Sequence, residues 1–361
     1  MRVLQVVPRY FPTIGGVEVV VQKISERLAA KGVQVTVYSV DLTPGLSREQ
    51  EINGVLVRRF NPFFGDPFYF PELEFLTSLR RDKADIIHVH NIHTLPPFLA
   101  VVSKHKGQKF LLQPYYHRFG QSPIRNSLLR LYRSGLGNVA LSRVDLVLVN
   151  STYEKRVFNE DFPKCNRIFL VPLGVDMDET KHVKHDPVEP KRILYVGALK
   201  PYKNVDKVLE GFARLTREES EEYRLVIVGQ GSEHDYLVKL SHKLGVASLV
   251  EWKRGLSREQ LLNEYAKTSV FITLSSLESF SLVTYEALAI GVPAVVLNFG
   301  ALSDLVGAGL AEGVDSLDAK EIASALLRAS KKKYTKLNSF LGWNDYSNVI
   351  LNVYRELLDN P

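Results

Sequence analysis

The stretch VFITLSSLESFSLVTYEALAIGVPAVVL, residues 270–297, contains one complete strand, loop, helix and second strand. Residues 270–274 and 293–297 are short apolar runs typical of buried strands, and residues 281–290 between them have the composition of a helix. Two short apolar strands joined by a helix indicate neighbouring parallel strands in a sheet that is covered on both faces. The stretch therefore predicts an α/β fold with a doubly wound parallel sheet.

The same alternation runs through most of the chain and occurs in two series. The first series predicts strands at residues 2–7, 34–40, 55–60, 86–90, 110–113, 146–150 and 168–171, and helices at 18–31, 73–80, 95–105 and 124–141. The second series adds strands at 191–196, 224–228 and 250–253, and helices at 205–215, 234–244 and 258–267.

A polar segment, residues 176–191, separates the two series. It contains two prolines and shows no apolar period, which is the composition of a linker. A chain of 361 residues is also long enough for two domains. We therefore expect domains at residues 1–175 and 176–344, and a terminal helix within 345–361 that carries an apolar stripe and packs back on the first domain.

The overall composition is that of an ordinary globular protein, with 45% hydrophobic and 24% charged residues. No apolar run approaches the ~20 residues that span a bilayer, and the first apolar stretch, which ends at Pro8, is too short for a signal peptide. The single cysteine, Cys165, excludes an internal disulfide framework and a multi-cysteine zinc site. These features predict a cytoplasmic protein.

Positive charge is concentrated in the first half of the chain. Residues 1–172 carry 23 basic and 14 acidic side chains, net +9, whereas the remainder is net −3, and no acidic residue occurs between residues 86 and 144. Such a field attracts anions. Without a nucleic-acid-binding motif, we expect no nucleic acid partner and favour a phosphorylated substrate or an anionic membrane surface. A solvated basic face without a partner is the alternative.

Two loops after predicted strands have the chemistry of phosphate sites. Gly15 and Gly16 lie between the first strand and its helix, where backbone amides can approach a phosphate, although a plain tight turn has the same composition. Lys203 follows the strand at 191–196, at the sheet edge where parallel sheets bind ligands. There it could neutralise a phosphate, or it could be an ordinary surface lysine.

Two carboxylates stand eight residues apart in the opening stretch. Glu278 comes just before the predicted helix and Glu286 lies on its second turn. Carboxylates there can accept sugar hydroxyls, and the free amides of Ser281, Leu282 and Val283 can hold an anion. The alternative for Glu278 is that it only caps the helix.

These elements resemble the family 4 (group 1) retaining glycosyltransferases of the GT-B fold, which use nucleotide-sugar donors. Glu278 to Glu286 matches their E-x7-E element, and residues 15–18, 172–176 and 228–231 resemble their GG-x-E, P-N-G-V-D and V-G-D-G motifs. The matches follow the family order along nearly the whole chain. The resemblance implies two Rossmann-like domains facing a central cleft, an acceptor-binding first domain, a donor-binding second domain and a crossover helix.

The resemblance also implies roles for individual residues. Glu278 faces the donor hexose, Glu286 holds the ribose hydroxyls and Lys203 neutralises the diphosphate. The backbone at Gly16 and at residues 281–283 completes the donor pocket. Catalysis is expected from Lys203 and Glu278 together with a histidine of the first domain.

Three positions depart from the family pattern. Ala198 replaces the usual arginine, so that charge is missing or comes from Lys200 or another basic residue, and Ser281 replaces a glycine. The histidine that relatives place after the strand at 110–113 corresponds either to Tyr115 or to His117. We predict His117, because an imidazole can hydrogen-bond a sugar or phosphate oxygen near neutral pH.

We expect no metal and no cofactor beyond the donor. His88, His90 and His93 lie close in sequence, but no nearby carboxylate completes a metal site. The donor is expected to be a UDP- or GDP-linked sugar. Without a second placed carboxylate nucleophile, we expect front-face attack, in which the departing phosphate oxygen takes the acceptor proton.

The acceptor is expected to be a sugar or a lipid-linked compound presented at the inner face of a membrane. Five aromatic residues in segment 61–71, and a predicted helix at 124–141, suggest peripheral docking. On that helix the apolar residues are Leu128, Leu131, Tyr132, Leu136 and Val139, with Arg125, Arg130 and Arg133 adjoining. Packing of both segments within the domain is the alternative. For the activity, the alternatives are a nucleotide-sugar epimerase and a catalytically silent nucleotide-sugar-binding subunit.

Overall fold

The computed structural model shows two compact units and confirms the α/β fold. One unit comprises Met1–Gly174 and Trp343–Pro361, and the other comprises Val175–Gly342. The structure describes residues 1–13, 15–40, 45–64, 69–103, 105, 107–120, 126–127, 129–130, 132–332 and 340–359.

The first unit is built on an eight-stranded sheet. The strands of this unit are β1 (Arg2–Val7), β2 (Gln34–Val40), β3 (Glu49–Ile52), β4 (Val55–Phe60), β5 (Pro62–Phe64), β6 (Phe70–Pro71), β7 (Ile86–His90), β8 (Lys109–Gln113), β9 (Leu146–Val149) and β10 (Ile168–Leu170). The sheet order is β10-β9-β8-β7-β1-β2-β4-β3, with β5 and β6 paired separately. All neighbours in the large sheet are parallel except β3 and β4. The chain order therefore reverses between β1 and β7, which is the switch point of a doubly wound sheet.

Helices connect these strands. They are α1 (Gly16–Ala30), α2 (Leu73–Arg81), α3 (Leu95–Val102), α4 (Gly137–Leu141), α5 (Thr152–Asp161) and the terminal α13 (Trp343–Asp359), with a π-helical segment at Tyr132–Leu136. Every residue of β7 is buried, as expected of a central parallel strand covered on both faces. Helix α13 packs on α1, and Nζ of Lys31, the residue after α1, donates to Oγ of Ser347 at 2.6 Å. The terminal helix thus belongs to the first unit.

The second unit has six parallel strands. They are β11 (Lys191–Val196), β12 (Tyr223–Val228), β13 (Val250–Lys253), β14 (Val270–Thr273), β15 (Ala294–Leu297) and β16 (Glu312–Val314). The helices are α6 (Met177–Thr180), α7 (Val205–Glu218), α8 (His234–Lys243), α9 (Arg258–Ala266), α10 (Leu282–Ile290), α11 (Leu302–Gly307) and α12 (Ala319–Lys331). The order β13-β12-β11-β14-β15-β16 places the switch point between β11 and β14.

Two apolar cores cover the two faces of this sheet. Ile193 of β11 belongs to a core completed by residues of α7 and α12, whereas its neighbour Leu194 belongs to a core with residues of α10 and α11. Successive residues of a strand point to opposite faces, so the near-continuous apolar runs seen in the sequence fill both cores.

Three expectations from the sequence need correction. The segment at 176–191 is not a structureless linker, because α6 lies within it. Glu312–Val314, where the sequence patterns predict no strand, is the edge strand β16, since its backbone pairs with β15. The predicted helix at 124–141 contains a π-helical turn; its Arg125, Leu128 and Leu131, like residues 65–68 and 333–336, lie outside the described residues.

No helix in the described part of the chain is both long and apolar enough to cross a membrane.

Candidate active site

The switch point of the second sheet brings two predicted site residues together. Lys203 lies in the loop after β11, and Glu278 lies in the loop after β14, the neighbouring strand. Nζ of Lys203 is 2.5 Å from Oε1 of Glu278, and their side chains are only 17% and 15% exposed. Glu278 therefore pairs with the lysine rather than capping a helix.

The charge of Lys203 depends on this pairing. Burial disfavours its ammonium form, but the negative charge of Glu278 and the nearby Tyr202 outweigh that effect and raise the pKa of Lys203. The lysine is therefore a cation at neutral pH, held at the edge of the sheet.

Hydrogen bonds join the two loops that carry this pair. The backbone N–H of Ser276 donates to the carbonyl of Tyr202 at 2.9 Å, and Nδ2 of Asn204 donates to the carbonyl of Leu274 at 2.7 Å. Asn204 has a φ of 53°, a left-handed conformation that asparagine tolerates better than most residues. Two hydrogen bonds therefore hold the two loops against each other.

Helix α10 begins directly after this loop, at Ser281. Ser281 has a φ of 81° and makes no side-chain cap, since its Oγ lies 2.9 Å from Oγ1 of Thr284. Among the described residues, no acceptor pairs with the backbone N–H of Leu282 or Val283. These two amides point along the helix dipole and can hold an anion.

Glu286 lies one turn further along α10 and does not contact Glu278. Its Oε1 is 2.8 Å from Nη1 of Arg258, the first residue of α9. Nε of Arg258 is also 2.6 Å from Oε2 of Glu179 on α6. Sequence reasoning missed Arg258, and only its basic character, together with the missing arginine at Ala198, could have drawn attention to it.

Close packing explains why two positions of the segment that resembles V-G-D-G are glycines. A Cβ on Gly229 would collide with the carbonyl oxygen of Gly197, and a Cβ on Gly231 would collide with that of Leu199. The loop after β12 therefore packs backbone to backbone against the loop after β11, which supports Lys203.

In the first unit, Gly15 and Gly16 lie after β1, at the switch point of that sheet. Gly15 is the N-cap of α1, and a Cβ there would collide with the carboxylate of Glu18. Glu18 is buried and accepts from Nε of Arg9 at 2.8 Å. Open space lies beside the Cα of Gly16, so its backbone is accessible to a ligand.

His117 lies after β8, in the same unit. Its ring stacks on that of His93 at 4.1 Å, and its Nδ1 is 2.5 Å from the carbonyl oxygen of Phe119. Because a carbonyl only accepts, Nδ1 must carry the proton, which leaves Nε2 as the basic nitrogen. Tyr115, the alternative, is buried, has a φ of 49° and directs its hydroxyl towards His90 at 3.3 Å.

His88 and His90 are fully buried and hydrogen-bonded within the first unit. No group of three or more metal-ligating side chains with suitable geometry occurs in the described ranges.

The two segments expected to contact a membrane differ in the exposure of their side chains. Phe63 and Phe64 are 61% and 70% exposed, so the strand β5 of the β5-β6 pair presents aromatic side chains at the surface. Tyr132 instead packs edge-on against Phe162, and Arg133 pairs with Asp161 at 3.3 Å. Tyr132 and Arg133 of the predicted interfacial helix are therefore engaged inside the unit, whereas Val139 is 57% exposed.

Comparison with known families accounts for both units. Residues 14–179 match the family described as "Glycosyltransferase Family 4", and residues 176–342 match "Glycosyl transferases group 1". The chain belongs to the family 4 (group 1) glycosyltransferases. The two matches meet near α6 and together span both sheets.

Individual relatives of this glycosyltransferase agree with that assignment. It is 27% identical to a D-inositol 3-phosphate glycosyltransferase of Frankia alni, over 95% of each chain. Its fold is similar to that of a sucrose-phosphate synthase from Thermosynechococcus elongatus, with a TM-score of 0.80, 18% identity and full coverage of both chains. An α,α-trehalose-phosphate synthase (UDP-forming) from Burkholderia xenovorans, in complex with glucose-6-phosphate, has a TM-score of 0.75 at 16% identity, covering 99% and 100%. The GT-B fold expected from the sequence is confirmed.

Proposed function

We propose that this glycosyltransferase moves a hexose, with retention of anomeric configuration, from a UDP- or GDP-linked sugar to an acceptor hydroxyl. The observation that carries the proposal is the Lys203–Glu278 pair at the switch point of the second sheet. A sugar diphosphate needs cations and amides for its phosphates and a carboxylate for its hydroxyls. The proposed site offers all three: Lys203 is the cation, Leu282 and Val283 supply the amides, and Glu278 is the carboxylate.

The proposed reaction is a front-face displacement. The bond from the anomeric carbon to the diphosphate oxygen breaks, the acceptor oxygen bonds to that carbon on the same face, and the acceptor proton passes to the departing phosphate. Lys203 and the amides of α10 stabilise the charge that develops on the diphosphate. His117 hydrogen-bonds the sugar or a phosphate oxygen through Nε2. No metal or cofactor takes part.

We propose a phosphorylated acceptor bound by the first unit. The Frankia relative is named for inositol 3-phosphate, and the trehalose-phosphate synthase was obtained with glucose-6-phosphate. The net charge of +9 in residues 1–172 favours the same kind of acceptor here.

A membrane-presented acceptor is the second candidate, favoured by the β5-β6 hairpin. Phe63, Phe64 and Phe70 are 61%, 70% and 44% exposed, and exposed aromatic clusters are typical of contact with lipid or protein. On this proposal the hairpin docks at the inner membrane surface and the acceptor is lipid-linked.

The test begins with thermal unfolding in the presence of UDP- and GDP-sugars, because a bound donor raises the midpoint. The stabilising donor is then incubated alone, with sugar phosphates, and with anionic vesicles that carry lipid phosphates. We expect a glycosylated sugar phosphate with the donor's anomeric configuration by NMR. An epimer formed from donor alone would favour the epimerase, and binding without turnover the silent subunit. Product on vesicles only would favour the membrane candidate.

A further inference from the structure

Arg258 joins three carboxylates of the second unit. Its Nη1 is 2.8 Å from Oε1 of Glu286, its Nε is 2.6 Å from Oε2 of Glu179, and its Nη2 is 3.7 Å from Oδ2 of Asp176. Glu179 belongs to α6, Asp176 precedes that helix, and Glu286 belongs to α10. One guanidinium therefore fixes the carboxylate of α10 relative to a different helix.

The local sequence does not explain an arginine at this position. Arg258 is the first residue of α9 and lies between Ser257 and Gln260, which form a capping box. A cation at a helix N-terminus is disfavoured by the helix dipole. Its contacts with the three carboxylates must offset that cost, so the position of Arg258 is determined by Glu286, Glu179 and Asp176.

Arg258 also favours the ionised form of Glu286. Burial raises the pKa of Glu286, the Arg258 guanidinium opposes that rise, and the carboxylates of Asp176 and Glu179 add to it. The Glu286 side chain is 13% exposed, so it is enclosed but accessible.

The two oxygens of Glu286 have different surroundings. Oε1 is occupied by Arg258, whereas Oε2 has one long contact of 3.5 Å with the hydroxyl of Tyr265. That hydroxyl also donates to the carbonyl of Val283 at 3.2 Å, which is the better bond. Oε2 therefore retains the capacity to accept hydrogen bonds from a ligand.

We propose that Arg258 is a positioning residue: it anchors Oε1 of Glu286 so that Oε2 accepts hydrogen bonds from the ribose hydroxyls of the donor nucleotide. The inference rests on the proposed function, because it takes Glu286 as the ribose-binding carboxylate. Arg258 does not touch the nucleotide and acts through Glu286. It therefore determines how well the site distinguishes ribose from 2′-deoxyribose.

The experiment measures binding of UDP, GDP and ADP, and of their 2′-deoxy forms, by isothermal titration calorimetry. We expect the unchanged protein to prefer the best ribonucleotide over its deoxy form by about tenfold or more, since a hydrogen bond to a charged group is lost. In Arg258→Met the affinity for the ribonucleotide should exceed that for its deoxy form only about twofold. The ribonucleotide should bind more weakly, whereas the affinity for the deoxy form should change little. Arg258→Lys, which keeps the charge but loses the fork, should be intermediate.

Arg254→Met is the matched control, because Arg254 is exposed and four residues before Arg258; it should keep the full ratio. Glu179→Gln weakens the second anchor of the guanidinium and should lower the ratio partly. If Arg258→Met fails to fold, Arg258→Lys and Glu179→Gln decide the question.

Three results would overturn the inference. One is an unchanged ribose preference in folded Arg258 and Glu179 variants, and another is the absence of any ribose preference in the unchanged protein. If the unchanged protein binds none of the three nucleotides, the proposed function itself fails and the inference falls with it. A merely structural role for Arg258 would lower the melting temperature without changing the ratio.

Discussion

The hydroxyl of Tyr354, on the terminal helix α13, lies 2.7 Å from Nδ1 of His88 on strand β7. The same hydroxyl oxygen accepts from Nε2 of Gln5, on strand β1, at 3.2 Å. Its single proton is therefore directed to His88, and both strands beside the switch point of the first sheet are bonded to the terminal helix.

The hydrogen bonds continue from Gln5 towards the candidate histidine. Oε1 of Gln5 is 2.7 Å from Nε2 of His90, so Nε2 carries the proton and Nδ1 can accept from the hydroxyl of Tyr115, 3.3 Å away. Tyr115 is two residues before His117. The terminal helix is thus connected through buried polar groups to the loop that holds His117.

Replacing Tyr354 by phenylalanine should destabilise the first unit by about 1–3 kcal/mol, because His88 and Gln5 would both lose a buried partner. Urea unfolding measures this change. Tyr132→Phe is the control, since the structure records no hydrogen bond for that hydroxyl in the described residues, and it should change the free energy by less than about 0.5 kcal/mol. Equal effects of the two substitutions would contradict a specific role for the Tyr354 bond.

The first unit should lose stability in mild acid because of His88. Burial lowers the pKa of His88 from 6.5 to about 3, and the neighbouring polar side chain of Gln113 opposes this only in part. Below pH 6.5 the unfolded chain binds a proton that the folded chain does not, so stability falls as the pH is lowered towards 3. At pH 5 the contribution is about 2 kcal/mol from this group.

His88→Gln isolates that contribution, because the variant has no group titrating at this position. Between pH 7.5 and pH 5, the unfolding free energy of the unchanged protein should fall by about 2 kcal/mol more than that of the variant. Parallel pH curves for the two proteins would show that His88 does not remain neutral in the folded state.

Much of the fold was predictable because the strands are continuous apolar runs. The expected strands at 2–7, 34–40, 55–60, 86–90 and 191–196 agree residue for residue with the structure. Buried parallel strands need apolar side chains on both faces. The positions and the bounds of these strands can therefore be predicted from the sequence. Short edge strands such as β3 and β16 bury few of their side chains, so their sequences show no continuous apolar run.

The candidate site was predictable only where a local motif exists. The sequences of their loops predict Lys203 and Glu278 as site residues, and the sheet order, which no local pattern encodes, explains why they meet. Arg258 lies in a sequence typical of an exposed helix start, and its partner Glu286 is 28 residues away. Such contacts depend on how helices pack, so the sequence alone does not show them.

The backbone conformation of Ser281 should destabilise the second unit, because its φ of 81° lies in the left-handed region, which favours glycine. Ser281→Gly and Ser281→Ala both remove the bond to Thr284, but only glycine relieves the backbone. We expect the glycine variant to be more stable than the alanine variant by about 1 kcal/mol in thermal or urea unfolding. Equal stabilities would mean that this residue is not held in the left-handed region in solution.

Excess chelator should leave the transfer rate unchanged, because the proposed site neutralises the diphosphate with Lys203 and the amides of α10. Initial rates with and without EDTA, after metal-free dialysis, measure this. A rate that falls and returns on addition of Mg²⁺ or Mn²⁺ would show that a cation supplies part of the charge stabilisation instead.

Lys203→Met should lower kcat by about 10²–10³ while changing the donor KM less, if the lysine mainly stabilises charge that develops on the departing diphosphate. The substitution also leaves Glu278, 15% exposed, without its partner at 2.5 Å, so a loss of stability is expected in the same variant. The double variant Lys203→Met/Glu278→Gln separates the two effects, since it removes both charges and should recover stability but not rate. Lys207→Met, which breaks a pair with Glu210 on α7, is the surface control and should retain activity. Recovery of the rate together with stability in the double variant would mean that Lys203 supports the loop and does not act on the diphosphate.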